Sequence, residues 1–142
     1  MLNKWLTLFF WSSTLCASDC TPARIKMINF QKEVITQEVI CFLPPASNRN
    51  TYIVSESCVE KKCEILKREK KPIIINHYMK NFGSPGFKLC DALGGSPQIF
   101  EFQVNTDKYL STERCLFGEN DFVEIALLSH EWKHLIETTQ KK

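Results

Sequence analysis

The chain has 142 residues, with 18 Lys and Arg against 16 Asp and Glu, a formal net charge of +2, and seven cysteines. That length supports one compact core with little room for a second. Basic and acidic side chains alternate along it, which excludes a concentrated nucleic-acid-binding face.

Residues 1–17 read as a secretory signal. Lys4 gives the positive start, Trp5 to Trp11 a short apolar stretch, and Cys16-Ala17-Ser18 the small residues for cleavage. The stretch is too short to cross a bilayer as a helix, so a periplasmic or secreted product without a transmembrane segment is expected. Removing the signal leaves Cys20, Cys41, Cys58, Cys63, Cys90 and Cys115. Six cysteines in an exported chain suggest up to three disulfides, whose connectivity a sequence cannot fix. One arrangement closes a turn from Cys58 to Cys63, ties a helix at Cys90 to a strand at Cys115, and leaves Cys20 for Cys41. A tetrathiolate zinc site would need a second close pair to match Cys58 and Cys63.

Residues 18–142 are expected to form a single compact domain, with an N-terminal meander (20–80) and a helix-strand-strand-helix unit (81–142). Arg24 to Phe42 suits two strands joined at Gln31-Lys32-Glu33, and Pro44 to Asn50 reads as a loop. Thr51 to Val54, Glu64-Ile65-Leu66 and Ile73-Ile74-Ile75 are further strand candidates, with the charged run Lys61 to Lys71 at a solvated edge or turn. Ser84-Pro85 is a helix start, in which serine caps free amides and proline loses no needed bond. Phe87, Cys90 and Leu93 recur at helical spacing, and Gly94-Gly95 is the stop. Ile99 to Val104 and Tyr109 to Phe117 predict two strands around an Asn105–Lys108 turn. Asn120 or Asp121 is expected to cap a last helix over Phe122 to Thr138, whose Ile125, Leu128, Trp132, Leu135 and Ile136 share one apolar sector. The expected fold class is therefore α+β: an antiparallel sheet with a short helix and a C-terminal helix packed on it, braced by disulfides.

The segment Gly83-Ser84-Pro85-Gly86-Phe87-Lys88-Leu89-Cys90-Asp91-Ala92-Leu93-Gly94-Gly95, then Cys115-Leu116-Phe117-Gly118 and Val123-Glu124-Ile125-Ala126-Leu127, resembles a family of small exported bacterial domains that carry the label "hemolysin" and are otherwise of unknown function. Ser84-Pro85-Gly86 stands where the family has Asn-Pro-Ala, Phe117 where it has proline, and Ile125 where it has tryptophan. The resemblance spans about residues 83–128 and implies an exported bacterial protein. No long apolar or strongly amphipathic segment accompanies it, so lysis is not adopted as a mechanism.

One motif carries chemistry. His130-Glu131-Trp132-Lys133-His134 places two imidazoles about 40° apart on a helix, where they can ligate zinc while Glu131 serves as general base. A catalytic zinc needs three protein ligands. His77 is the remaining histidine, and Glu101, Asp107, Glu113 and Glu119 are oxygen candidates. Lys133 sets a cation beside the site, which disfavours a divalent metal. The leading expectation is an exported, non-enzymatic binding protein without a cofactor, possessing a protein or cell-envelope partner and an inhibitor-like loop at Pro44–Asn50 or Asn105–Lys108. The alternative is a zinc-dependent peptidase or amidase using His130, Glu131 and His134.

Overall fold

The computed structural model describes residues 19–43, 51–75 and 84–137. The signal-like segment 1–17, the loop 44–50 and His77 lie outside them.

The first described elements, β1 (Asp19–Asn29) and β2 (Lys32–Leu43), form a hairpin whose register runs unbroken from Asp19↔Phe42 to Asn29↔Lys32. Its turn is Phe30-Gln31, shorter and earlier than the expected Gln31–Glu33. Both residues have positive φ, 46° and 67°, as a two-residue turn matched to strand twist requires. The β1 strand also begins upstream of Arg24 and passes through Pro22. Cys20 and Cys41 are direct partners with Cα atoms only 4.0 Å apart, the close spacing of a non-hydrogen-bonded pair. Two residues on, Pro22↔Val39 has the same parity, so the ladder to β2 does not use the amide that proline lacks.

The end of β2 pairs with β3 (Tyr52–Ser55), from which a 3-10 turn (Glu56–Lys61) leads to α1 (Glu64–Lys67). A strand was expected at Glu64-Ile65-Leu66. Two adjacent apolar residues in so short a run cannot separate strand from helix, and here both are buried on one helical turn after the Cys58–Cys63 bridge. The next strand, β4 (Ile73–Ile74), is followed by α2 (Pro85–Ala92), whose Ser84 Oγ accepts from the Phe87 amide at 3.3 Å as expected of an N-cap. Then come β5 (Ser96–Gln103), β6 (Leu110–Phe117), β7 (Asp121–Glu124), α3 (Ile125–Trp132) and β8 (Ile136–Glu137).

The antiparallel sheet is not an open layer beneath a helix. It closes into a six-stranded barrel in the order β1-β2-β3-β7-β6-β5, so strands from both halves of the chain share one wall. The short β4 and β8 pair in parallel outside it, not in the expected antiparallel meander. At the β3–β7 seam the backbone register holds one pair, Val54↔Val123, and side chains complete it. Ser55 Oγ accepts from the Phe122 amide at 3.0 Å, while Glu124 Oε2 accepts from the Ile53 amide at 2.7 Å and Oε1 from Thr112 Oγ1 at 2.8 Å.

Strand alternation divides the core in two. One set, Ala23, Ile25, Ile40, Ile53, Phe100, Phe102 and Phe122, fills the barrel. The opposite face carries the row Cys41–Val54–Val123–Cys115, consecutive across four strands. This row packs in a second core with Leu89, Leu128 and Trp132 from the helices. Three disulfides brace the arrangement: Cys20–Cys41, Cys58–Cys63 and Cys90–Cys115. The last spans 25 residues and ties α2 to β6, constraining the unfolded chain by about 3 kcal/mol.

Gly94, at φ 87°, ends α2. Gly95 has a different reason: a Cβ there would stand 2.3 Å from Cys115 Sγ and 3.0 Å from the Leu116 carbonyl oxygen. Gly95→Ala should therefore destabilise by about 1–3 kcal/mol through overpacking, measurable by thermal unfolding. Gly94→Asn, which keeps a residue tolerant of positive φ and meets nothing within 4 Å, should lose less.

Candidate functional site

Helix α3 covers Ile125–Trp132, well short of the expected Phe122–Thr138. Asp121–Glu124 forms β7 instead, so Glu124 and not Asn120 or Asp121 occupies the N-cap position. Past Trp132 the chain turns tightly, with the Leu135 amide donating to the Trp132 carbonyl at 2.9 Å, and enters β8. His134 thus stands beyond the last helical residue and is exposed. His130 is also exposed, its ring centroid 6.3 Å from that of Tyr52.

The carboxylate of Glu131 accepts from Lys61 Nζ at 3.1 Å and from Lys70 Nζ, and its side chain is 12% exposed. Among the described residues no group of three or more His, Cys, Asp or Glu side chains could hold a metal. Glu101, Asp107, Glu113 and Glu119 therefore do not complete a site with the two histidines. Both observations weigh against the zinc-hydrolase reading.

Burial pushes the Glu131 carboxyl up, but the hydrogen bonds from Lys70 and Lys61 outweigh it and hold the group below the usual carboxylate range. Because the folded value is depressed, the stabilisation is present above the unfolded value near 4.5 and is lost as pH falls through the folded value. Glu131→Gln should cost about 1 kcal/mol at neutral pH, tempered by the exposure of Lys61. The difference from the parent should vanish in acid, as urea unfolding across pH 2–7 would reveal.

Among the described residues, the most deeply placed charge is one that sequence patterning missed. Arg114 on β6 is 2% exposed. Its Nη1 donates to Glu38 Oε2 at 2.8 Å and its Nε to Gln98 Oε1 at 3.1 Å. The guanidinium carbon lies 4.6 Å and 4.8 Å from the ring centroids of Phe100 and Phe122. Arg114 shares strand parity with Thr112 and Leu116, so alternation turns it inward, although residue type alone suggests a solvated position. It forms the floor of an open cleft of about 740 Å³ bordered by Glu38, Val39, Ser55, Ser57 and Asn120.

Glu38 also marks the base of a projection. On one side β1 pairs with β5 only through Arg24–Lys26, ending at the Lys26–Glu101 ion pair of 2.5 Å. On the other, β2 meets β3 only from Ile40 onward. Residues Met27–Val34 consequently extend beyond the barrel wall as a two-stranded arm, while Ile35–Val39 stay paired with the barrel's β1 and the base is held by Arg114 through Glu38 and Met27. At its tip Phe30 is 93% and Ile28 81% exposed, and Ile99 of the neighbouring β5 is 61% exposed. Between the β1 side of the arm and β5 opens a second cleft of about 780 Å³, lined by Met27, Ile28, Phe87, Ile99 and Phe100 and edged by Lys26, Glu33 and Glu101. Isolated exposed apolar residues are ordinary; several around one cleft are the mark of a contact surface.

No helix among the described residues is long and apolar enough to cross a membrane. In comparisons with known proteins, the chain matches no family model, no curated protein and no solved structure.

Proposed function

We propose that the chain is an exported, non-enzymatic binding protein that holds a protein or cell-envelope partner against the Met27–Val34 arm and the cleft on its β1 side. The observation that carries this reading is the exposure of Ile28 and Ile99 in that cleft, with Phe30 exposed at the arm's tip next to Asn29, which lines it. A hairpin anchored by Arg114 and braced by the Cys20–Cys41 bridge presents those side chains with little ordering cost on binding. The apolar centre with Lys26, Glu33 and Glu101 at its edge follows the pattern of a protein-binding patch with a polar rim. Three disulfides in a small chain, together with the signal-like residues 1–17, support export to the periplasm or the medium. The resemblance to small exported bacterial domains supports the same compartment. An inhibitor-like action would use this arm rather than the polar Asn105–Lys108 turn.

A photoreactive side chain placed in turn at Phe30, Ile99, Lys67 and Thr106, in cells that make the protein, tests the proposal. One stoichiometric product from Phe30 and Ile99, without its counterpart from Lys67 or Thr106, is expected. Equal labelling from all four positions, or a chelator-sensitive hydrolase activity abolished by Glu131→Gln, would overturn it.

A further inference from the structure

The arm has a second side. Its β1 edge borders the cleft, whereas the β2 edge from Lys32 to Val39 precedes the first β2–β3 pair and, among the described residues, has no strand beside it in the sheet. We propose that this edge pairs with the same edge of a second copy of the chain, joining two arms into a four-stranded ribbon about a two-fold axis.

Backbone parity defines which groups are available. The close Cys20↔Cys41 pair is non-hydrogen-bonded, and the register reaches Asn29↔Lys32 without a bulge. Even-numbered residues of β2 therefore bond to β1. The amides and carbonyls of Glu33, Ile35, Gln37 and Val39 point away from it, toward the free edge. That edge has neither proline nor bulge, two of the protections against pairing, the charges of Lys32 and Glu33 stand at its outer end, and Val34, Ile35, Thr36 and Val39 are β-branched.

Charge selects the occupant and the register. Antiparallel pairing matches residues of like parity, so a two-fold axis must pass through a residue and not between two. With the axis at Ile35, Glu33 meets Gln37 of the second copy in a hydrogen-bonded pair, Val34 meets Thr36, and Lys32 meets Glu38, whose carboxylate is one-third exposed while it accepts from Arg114. Symmetry repeats the Lys32–Glu38 attraction, giving two complementary pairs across one isologous contact. Moving the axis to Thr36 sets Glu33 against Val39 and Glu38 against Val34, losing both charge matches. Exposed Ile35 and Val39 lie on one face of the resulting ribbon.

Sedimentation of the mature, disulfide-bonded protein is the test. A concentration-dependent dimer is expected. Ile35→Pro should abolish it while retaining the thermal transition, because the lost amide faces the free edge; Thr36→Pro, whose amide serves the β1 ladder, should lower stability. Lys32→Glu places like charges opposite each other twice and should weaken the dimer about tenfold or more. Ile35→Cys should give a disulfide-linked dimer in mild oxidant, and Gln37→Cys should not. A strictly monomeric parent at about 100 µM, or a dimer unchanged by both Ile35→Pro and Lys32→Glu, would overturn the proposal. The purified chain alone suffices, so this result is separable from partner capture at the opposite side of the arm.

Discussion

Replacing Trp132 with alanine should lower the free energy of unfolding by about 3–5 kcal/mol, the range for removing a large buried aromatic side chain. The indole is 1% exposed and belongs to the core between the helices and the barrel's outer wall. It is the last residue of α3, with the Lys70 ammonium 5.7 Å from its ring. Its loss would open a cavity where α3 gives way to the turn carrying β8, and Phe at this position should recover part of the difference. Urea unfolding with the disulfides intact measures the effect; for a domain of this size the melting temperature should fall by roughly 10–20 °C. A loss under 1 kcal/mol would mean that the helical layer is not packed against the wall.

The second large effect should come from Glu38→Ala, at about 3 kcal/mol, while Arg114→Met should be nearly neutral. The asymmetry follows from burial. Deleting Glu38 leaves a guanidinium that is 2% exposed without its anion, whereas an unbranched apolar side chain at Arg114 can occupy the space between Phe100 and Phe122 and leaves a carboxylate that is one-third exposed. A double-mutant cycle isolates the coupling. Because this pair secures the arm, Glu38→Ala should also hasten amide exchange from Met27 to Val34. Equal losses from both single variants would contradict the assignment of Arg114 as the buried, dependent partner.

Local signals were legible where a single residue type meets a single geometric demand. Ser84-Pro85 starts α2, Gly94 ends it, and the cysteines of neighbouring elements join as the element pattern suggested. Barrel closure was not legible, because β1–β5 and β3–β7 join residues far apart in sequence and part of the second seam is made by Ser55 and Glu124 side chains. The β7–α3 boundary has no Gly or Pro to announce it, so the apolar sector of α3 was read backward into a strand. At the hairpin turn, Phe30 and Gln31 adopt a conformation usually signalled by Asn-Gly. The proposed contact surface was hidden for a related reason: alternation shows which strand residues share a face, but not that the hairpin outruns its neighbours and leaves Ile28 and Phe30 in solvent. The His-Glu-x-x-His pattern stood out chemically, yet its Glu131 is engaged by lysines that are remote in sequence.

The most direct measurement is partner binding by a protein with a shortened arm. Met27 and Val34 form a hydrogen-bonded pair of the same parity as Asn29 and Lys32, so replacing residues 28–33 with Asn-Gly preserves the register. The account predicts an intact fold with all three disulfides and a thermal transition within a few degrees of the parent, together with loss of the partner captured at Phe30 and Ile99. Full partner binding by that shortened, folded protein would contradict it.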